Sequence, residues 1–230
     1  MIRVKICGLM NQEDLELCVQ AGVHTAGFVV DFPVPVPWNL SPGEARTLIR
    51  KVPPFVSSCV VTGGRMDKIL ALARAVRPNI VQLHHQETLE EVKELALRLG
   101  RLGIKTIKAL RIDSQGQCAF EIPDPLKAAQ ALEEAGVAAL VVDSFTTSLP
   151  GGTGITVNLS TFNKIRENTH LPLILAGGLN PANALEVLGG SHPYAVDVLT
   201  GVEERPGRKD PGKVRDFMTA VKRFYAPGIS

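Results

Sequence analysis

Cys7 closes a short apolar run at 2–7 and stands directly before Gly8, which puts a thiol at a strand end rather than in mid-strand. A free thiol titrates near ~8.5, so only about 3% is thiolate at pH 7, a fraction that nearby amide dipoles or cations raise. The alternative is an inert buried cysteine. Asp143 follows Leu140-Val141-Val142 and precedes a polar, glycine-bearing loop. Desolvation there would keep part of its population protonated, as a general acid requires near neutrality. A cap or loop hydrogen bond is the alternative. Asp197 ends a similar run and is weighed the same way. His84 follows Val81-Gln82-Leu83 with His85 beside it, and strand alternation turns one of the two inward and the other away. A satisfied structural histidine is the competing reading. Cys18 shares helical spacing with Leu15 and Gly22, and Cys59 lies inside a strand-like run, so both read as packing.

Two glycine turns look suited to an anion. Gly177-Gly178 follows Leu175-Ala176 and leads into Asn180-Pro181, so backbone N–H groups can approach a phosphate with no Cβ in the way. Thr200-Gly201 follows the run that ends at Val198-Leu199 and supplies a second small-residue turn. Any one glycine is explained equally by a tight turn. Two such turns after consecutive late strands point to a phosphate site, in which N–H donors and a helix dipole substitute for cationic side chains.

The elements that must hold these residues alternate. Strand-like runs occur at 2–7, 24–30, 57–62, 79–83, 104–110, 138–143, 172–176 and 194–198. Helix-like segments follow at 12–21, 42–51, 66–76, 87–100, 124–135, 158–168, 181–189 and 211–224, with start signals at Asn11, Ser41-Pro42 and Asn180-Pro181. Eight successive βα units imply parallel strands, and that count favours a closed (β/α)8 barrel in the α/β class over an open doubly wound sheet. The turn glycines then fall on the C-terminal face, where barrels place their chemistry. Residues 31–40, with three alternating prolines, should form an extended, shaped loop after the second strand, and 226–230 a frayed tail.

A chain of 230 residues fits one such barrel as a single domain over 1–230. Its 25 basic and 23 acidic side chains are too balanced to suggest a nucleic-acid or membrane surface, so an anion must be bound locally. Four cysteines without CxxC spacing, and no histidine cluster at zinc-ligand spacing, indicate neither a disulfide scaffold nor a structural metal. With no basic-then-apolar leader and no apolar run of about 18 residues, the expected location is the cytoplasm. The pattern is compatible with a monomer or a homodimer.

KICGL at 5–9, VQLH at 81–84, LVVDS at 140–144, GGTG at 151–154, LAGGLNPAN at 175–183 and AVDV..GVE..PG.KD from 195 to 210 resemble, in order and spacing, the phosphoribosylanthranilate isomerase family of tryptophan biosynthesis. The resemblance covers nearly the whole chain. It implies an Amadori rearrangement of a phosphorylated aminoaldose into the aminoketose, with no metal or organic cofactor. It also implies Asp143 as the general acid that protonates the ribose ring oxygen and Cys7 as the general base that removes the C2′ proton. His84 and Asp197 would contact the sugar, and Gly177, Gly178, Thr200 and Gly201 the phosphate.

Three positions depart from the family pattern. The arginine that usually precedes the SPE-A helix start, facing the anthranilate carboxylate, is replaced by Trp38. A charge-assisted pair of that kind is worth about 1.5–3 kcal/mol, whereas an indole can stack on the ring but cannot neutralise the charge. The family's FDW reads Val157-Asn158-Leu159, and its GVFVN reads Ser58-Cys59-Val60-Val61-Thr62. Arg65, in the loop after the third strand, is the sequence's candidate for a replacement cation. Two other functions compete with the isomerase. One is a paralogous barrel enzyme acting on a phosphorylated aminosugar or phosphosugar without the carboxylate. The other is a non-catalytic phosphometabolite binder, which would need neither Cys7 nor Asp143.

Overall fold

The computed structural model describes residues 1–144 and 159–224, and the expectations placed on 151–154, 157–158 and 226–230 lie outside that set. Eight parallel strands close into a barrel. They are β1 (Arg3–Ile6), β2 (Thr25–Val30), β3 (Ser57–Thr62), β4 (Ile80–Leu83), β5 (Lys105–Ile112), β6 (Ala139–Ser144), β7 (Leu173–Leu175) and β8 (Ala195–Val198). Each pairs with its successor, and β8 pairs back onto β1 through Val4 opposite Val196 and Lys5 opposite Asp197. The helices between them are α1 (Gln12–Ala21), α2 (Pro42–Ile49), α3 (Met66–Val76), α4 (Leu89–Gly100), α5 (Pro125–Glu134), α6 (Leu159–Glu167), α7 (Ala184–Ser191) and α8 (Pro211–Arg223).

Strand parity decides which side chains reach the site. Val4, Ile6, Phe28, Val60, Leu83, Leu110, Leu140, Val142 and Val196 point outward and pack with the helices in one large core. A second cluster of opposite parity, including Cys59, Ile107, Ala109, Val141, Ile174 and Ala195, fills the barrel interior. Above it a small third cluster gathers Cys7, Val29, Trp38 and Val61. Continuing the inward parity to the strand ends gives Cys7, His84, Arg111, Asp143 and Asp197, so the alternation that builds the core also aims the polar residues at the barrel mouth. Phe28, Phe162 and Phe217 are fully buried in the outer layer, each contributing about 1.5–3 kcal/mol of transfer free energy.

Asn11 caps α1 by accepting from Asp14 N, and Ser41 forms a capping box with Glu44 that starts α2. The expected start of α7 at Asn180-Pro181 is corrected. The helix begins at Ala184, because Asn180 Oδ1 accepts from Ala182 N and Asn183 N and holds 180–183 as a separate turn. Residues 31–40 fold back rather than simply extending. The Asn39 side chain accepts from Phe32 N and donates to Phe32 O, and a two-residue strand, Asn39–Leu40, lies against the end of β2. After β8 a 3-10 turn (Thr200–Val202) leads into a small hairpin, Glu203–Arg205 with Arg208–Lys209. No described helix is long and apolar enough to cross a membrane.

Candidate active site

A cavity of about 320 Å³ opens at the C-terminal mouth of the barrel, the size of a small-ligand site. Its lining includes Cys7, Trp38, His84, Asp143, Gly177, Gly178, Asp197 and Thr200, so eight of the residues singled out in the sequence meet in one place.

Cys7 caps β1 with its N–H donating to Val198 O at 2.9 Å. Its thiol has room because position 27 is glycine, where a Cβ would lie 3.0 Å from Sγ. Burial pushes the thiol's pKa up, and the charge of Lys5, two residues earlier on β1, opposes that rise. Lys5 is itself buried, with Nζ 2.5 Å from Asp197 Oδ2. Asp197 Oδ1 is buried without a hydrogen-bond partner among the described residues. Such an acceptor suits a ligand hydroxyl.

Across the mouth, His84 Nε2 lies 3.5 Å from Asp143 Oδ2, and its Nδ1 lies 3.0 Å from Gln82 Nε2. Gln82 Oε1 faces the Cys59 thiol at 3.9 Å, so the amide nitrogen points at His84 and donates to Nδ1, leaving the ring proton on Nε2 toward Asp143. Burial, reinforced by the charges of Lys108 and Arg111, lowers the His84 pKa to about 3, so the ring is neutral. The unfolded chain takes up that proton near pH 6.5 and the folded one does not. Stability present above pH 6.5 therefore erodes as pH falls below it, by up to about 1.36 kcal/mol per pH unit. Urea midpoints at pH 7 and pH 5 should show this decline, and His84→Gln should flatten it; equal slopes in the two proteins would contradict the neutral, buried ring.

His85 also lines the cavity, which corrects the expectation that only one of the pair would. Its backbone N–H donates to Glu87 Oε2, and Phe32 meets both imidazoles edge-on, at 6.5 Å from His84 and 5.9 Å from His85. Glu87 and Lys108 form a buried ion pair at 2.7 Å, and Lys108 Nζ also donates to His85 O, fixing the turn that carries both histidines.

The loop after β7 runs through Gly177 and Gly178 at φ 90° and 63°, a backbone conformation that glycine adopts without strain. The Asn183 amide donates to Gly178 O and anchors the turn. Gly201 is not part of the cavity wall. It lies behind Thr200, packed so closely on the β7 loop that a Cβ would fall 1.8 Å from Leu179 O. The absence of a side chain there lets the two loops touch.

A family model described as N-(5'phosphoribosyl)anthranilate (PRA) isomerase matches residues 4–220. The chain belongs to the phosphoribosylanthranilate isomerase family. The N-(5'-phosphoribosyl)anthranilate isomerase of Methanosarcina acetivorans is 36% identical over 226 residues, covering 97% of this chain and 94% of its own. The phosphoribosylanthranilate isomerase of Thermotoga maritima superimposes with a TM-score of 0.80 at 32% identity, over 97% of this chain and 100% of that one. A phosphoribosylanthranilate isomerase in complex with reduced 1-(o-carboxyphenylamino)-1-deoxyribulose 5-phosphate gives 0.77, also at 32% identity and the same coverage.

Within the phosphoribosylanthranilate isomerase framework, the unusual residue Trp38 is a fixed wall. It is 9% exposed, and its Nε1 donates to Glu203 Oε1 at 2.9 Å. That carboxylate oxygen also accepts from Lys209 Nζ and from Gly207 N, and Lys209 reaches on to Leu199 O. Arg65 stands in the loop after β3 as expected, but it does not reach the cavity. Its side chain is 77% exposed and forked onto Asp67 at the start of α3, outside the cavity. The arginine in the lining is Arg111, opposite Asp143 in the β5–β6 register. The sequence reading ended strand five at 110 and so missed it; counting inward parity from Ile107 and Ala109 finds it. Lys5, Gln82 and Glu203 were missed because each looks like an ordinary strand or hairpin residue until the barrel closes around it. Among the described residues no group of three or more His, Cys, Asp or Glu could hold a metal ion.

Proposed function

We propose that this chain isomerises N-(5'-phosphoribosyl)anthranilate to 1-(2-carboxyphenylamino)-1-deoxyribulose 5-phosphate, with Asp143 as general acid and Cys7 as general base. The observation that carries the reading is that both side chains face one cavity from β6 and β1, beside the glycine loops after β7 and β8. The phosphate lies on the backbone of Gly177, Gly178 and Thr200, with Gly201 holding the loops together. His84 and Asp197 meet the ribose hydroxyls. Asp143 gives its proton to the ring oxygen, and the C1′–O bond opens to a cationic Schiff base. Cys7 thiolate then takes the C2′ proton, and the C–H electron pair becomes the C1′=C2′ bond of the enolamine. Proton gain at C1′ and loss from O2′ give the aminoketose.

The substrate's aromatic end lies against Trp38, Val34 and Val36, all in the cavity wall, and its carboxylate meets Arg111. Arg111→Gln should raise KM roughly ten- to a hundredfold, the worth of a charge-assisted pair, while Arg65→Ala leaves KM unchanged. The reverse ranking would return the carboxylate contact to the loop after β3.

The test of the function is direct. Freshly made phosphoribosylanthranilate should lose its fluorescence when the purified protein is added. Absence of turnover together with tight phosphosugar binding would favour the paralogous isomerase acting on a substrate without the carboxylate, a reading that Trp38 supports.

A further inference from the structure

At the floor of the cavity one level of the barrel interior carries a buried ion pair, Lys5 from β1 and Asp197 from β8, with the Gln82 amide also turned inward from β4. Filling that level with two ions is not what stability calls for, since apolar residues of similar volume usually serve a core equally well or better. The geometry joins the pair to the thiol above. Lys5 and Cys7 are two residues apart on one strand and share its inward parity. A Cβ on Gly27 would lie 3.0 Å from Lys5 Cε and 3.0 Å from Cys7 Sγ, so one missing methyl group makes room for both side chains at the same spot. Asp197 Oδ2 holds Nζ at 2.5 Å, and the charge of Lys5 bears directly on the Cys7 thiol.

We propose that Lys5 is the positioning residue for proton abstraction: clamped by Asp197 at the floor of the cavity, its side chain runs beside Cys7 Sγ and its positive charge favours the thiolate. The proposal rests on Cys7 being the base. Burial alone would pull the Lys5 pKa down, but the Asp197 carboxylate, together with the neighbouring Cys7 and Cys59, outweighs it and leaves the group above the ordinary lysine value. Lys5 thus stays charged and keeps its own proton while Sγ receives the one from C2′. Cys7 is also faced by the second thiol at Cys59, by Lys209 from the hairpin after β8, and across the mouth by His84, Asp143 and Arg111. Burial and Asp197 work against the thiolate; Lys5 is foremost among the groups that favour it. In the empty cavity burial prevails, and the cationic Schiff base of the bound intermediate adds the second positive charge when the proton is to move.

The test reads the thiol itself. Iodoacetamide alkylation of Cys7, followed by mass spectrometry of its peptide from pH 6 to 11, gives its titration in the intact protein. Lys5→Met should move that titration up by at least one pH unit, roughly tenfold less thiolate at a given pH. It should also shift the acid limb of kcat/KM the same way, with inorganic phosphate still binding. Lys5→Arg, which keeps a positive charge at the end of the side chain, should leave the alkylation profile close to that of the wild type. An unmoved profile in Lys5→Met, or a profile in Lys5→Arg that rises as far as that of Lys5→Met, would overturn the proposal. If Lys5→Met fails to fold, Lys5→Gln is read in its place and the same upward shift decides it. The profile needs no turnover, so lack of activity on phosphoribosylanthranilate would remove the isomerase reading without touching this result, and an active enzyme with an unmoved profile would remove only the role of Lys5.

Discussion

Asp143→Asn and Cys7→Ser are each expected to cut kcat for phosphoribosylanthranilate by about 10²–10⁴-fold while KM changes far less, the range that a positioned acid or base contributes. Asparagine preserves the shape beside His84 Nε2 and can still hydrogen-bond the ribose, but its amide N–H is far too weak an acid to transfer a proton to the ring oxygen. Serine fits the space that Gly27 leaves for Sγ, yet its hydroxyl ionises far above any thiol and offers almost no anion at neutral pH. The two act on successive steps, so the double variant should be limited by its slower step and lose much less than the product of the single losses. Steady-state kinetics with phosphoribosylanthranilate decide this. Retention of activity within a few-fold in either single variant would remove that residue from the mechanism.

Gly201→Ala should be nearly as harmful, for a mechanical reason. The new methyl group would fall 1.8 Å from Leu179 O, 2.8 Å from Leu179 C and 3.0 Å from Asn180 Cα, all main-chain atoms that no rotamer change can move aside. The loops after β7 and β8 must separate, an overpacking that costs about 1–3 kcal/mol of stability. A chain of this size loses roughly 2–4 °C of Tm for each kcal/mol. Phosphate affinity should fall as well, because the N–H groups of the two loops no longer converge on one point. A melting curve and competition by inorganic phosphate measure both effects. Wild-type values for both would mean that the loops do not bear on each other as described.

Much of the site was legible because the barrel repeats one rule eight times. A strand of known parity that ends in a polar residue must present that residue to the mouth, which is why Cys7, His84, Asp143 and Asp197 are candidates by position and line one cavity. The failures share a cause as well. Arg65 lies beyond its strand, where parity no longer applies, and a local pairing with Asp67 captured it. Arg111 was lost to a strand end misplaced by a residue or two. Lys5 reads as an unremarkable alternation partner until β8 brings Asp197 beside it, a contact between residues 192 positions apart that no local pattern announces. The start of α7 was misjudged because asparagine followed by proline opens a turn as readily as a helix.

The indole of Trp38 shares its carboxylate with Lys209 and, through it, the carbonyl of Leu199 beside Thr200. For an evolving lineage this makes position 38 epistatic. An arginine arriving there would have Glu203 within its reach, with Lys209 already on the same oxygen, so what it offers a substrate anion depends on that hairpin. Substrate preference at one end of the barrel mouth is thereby inherited together with the residues that shape the other.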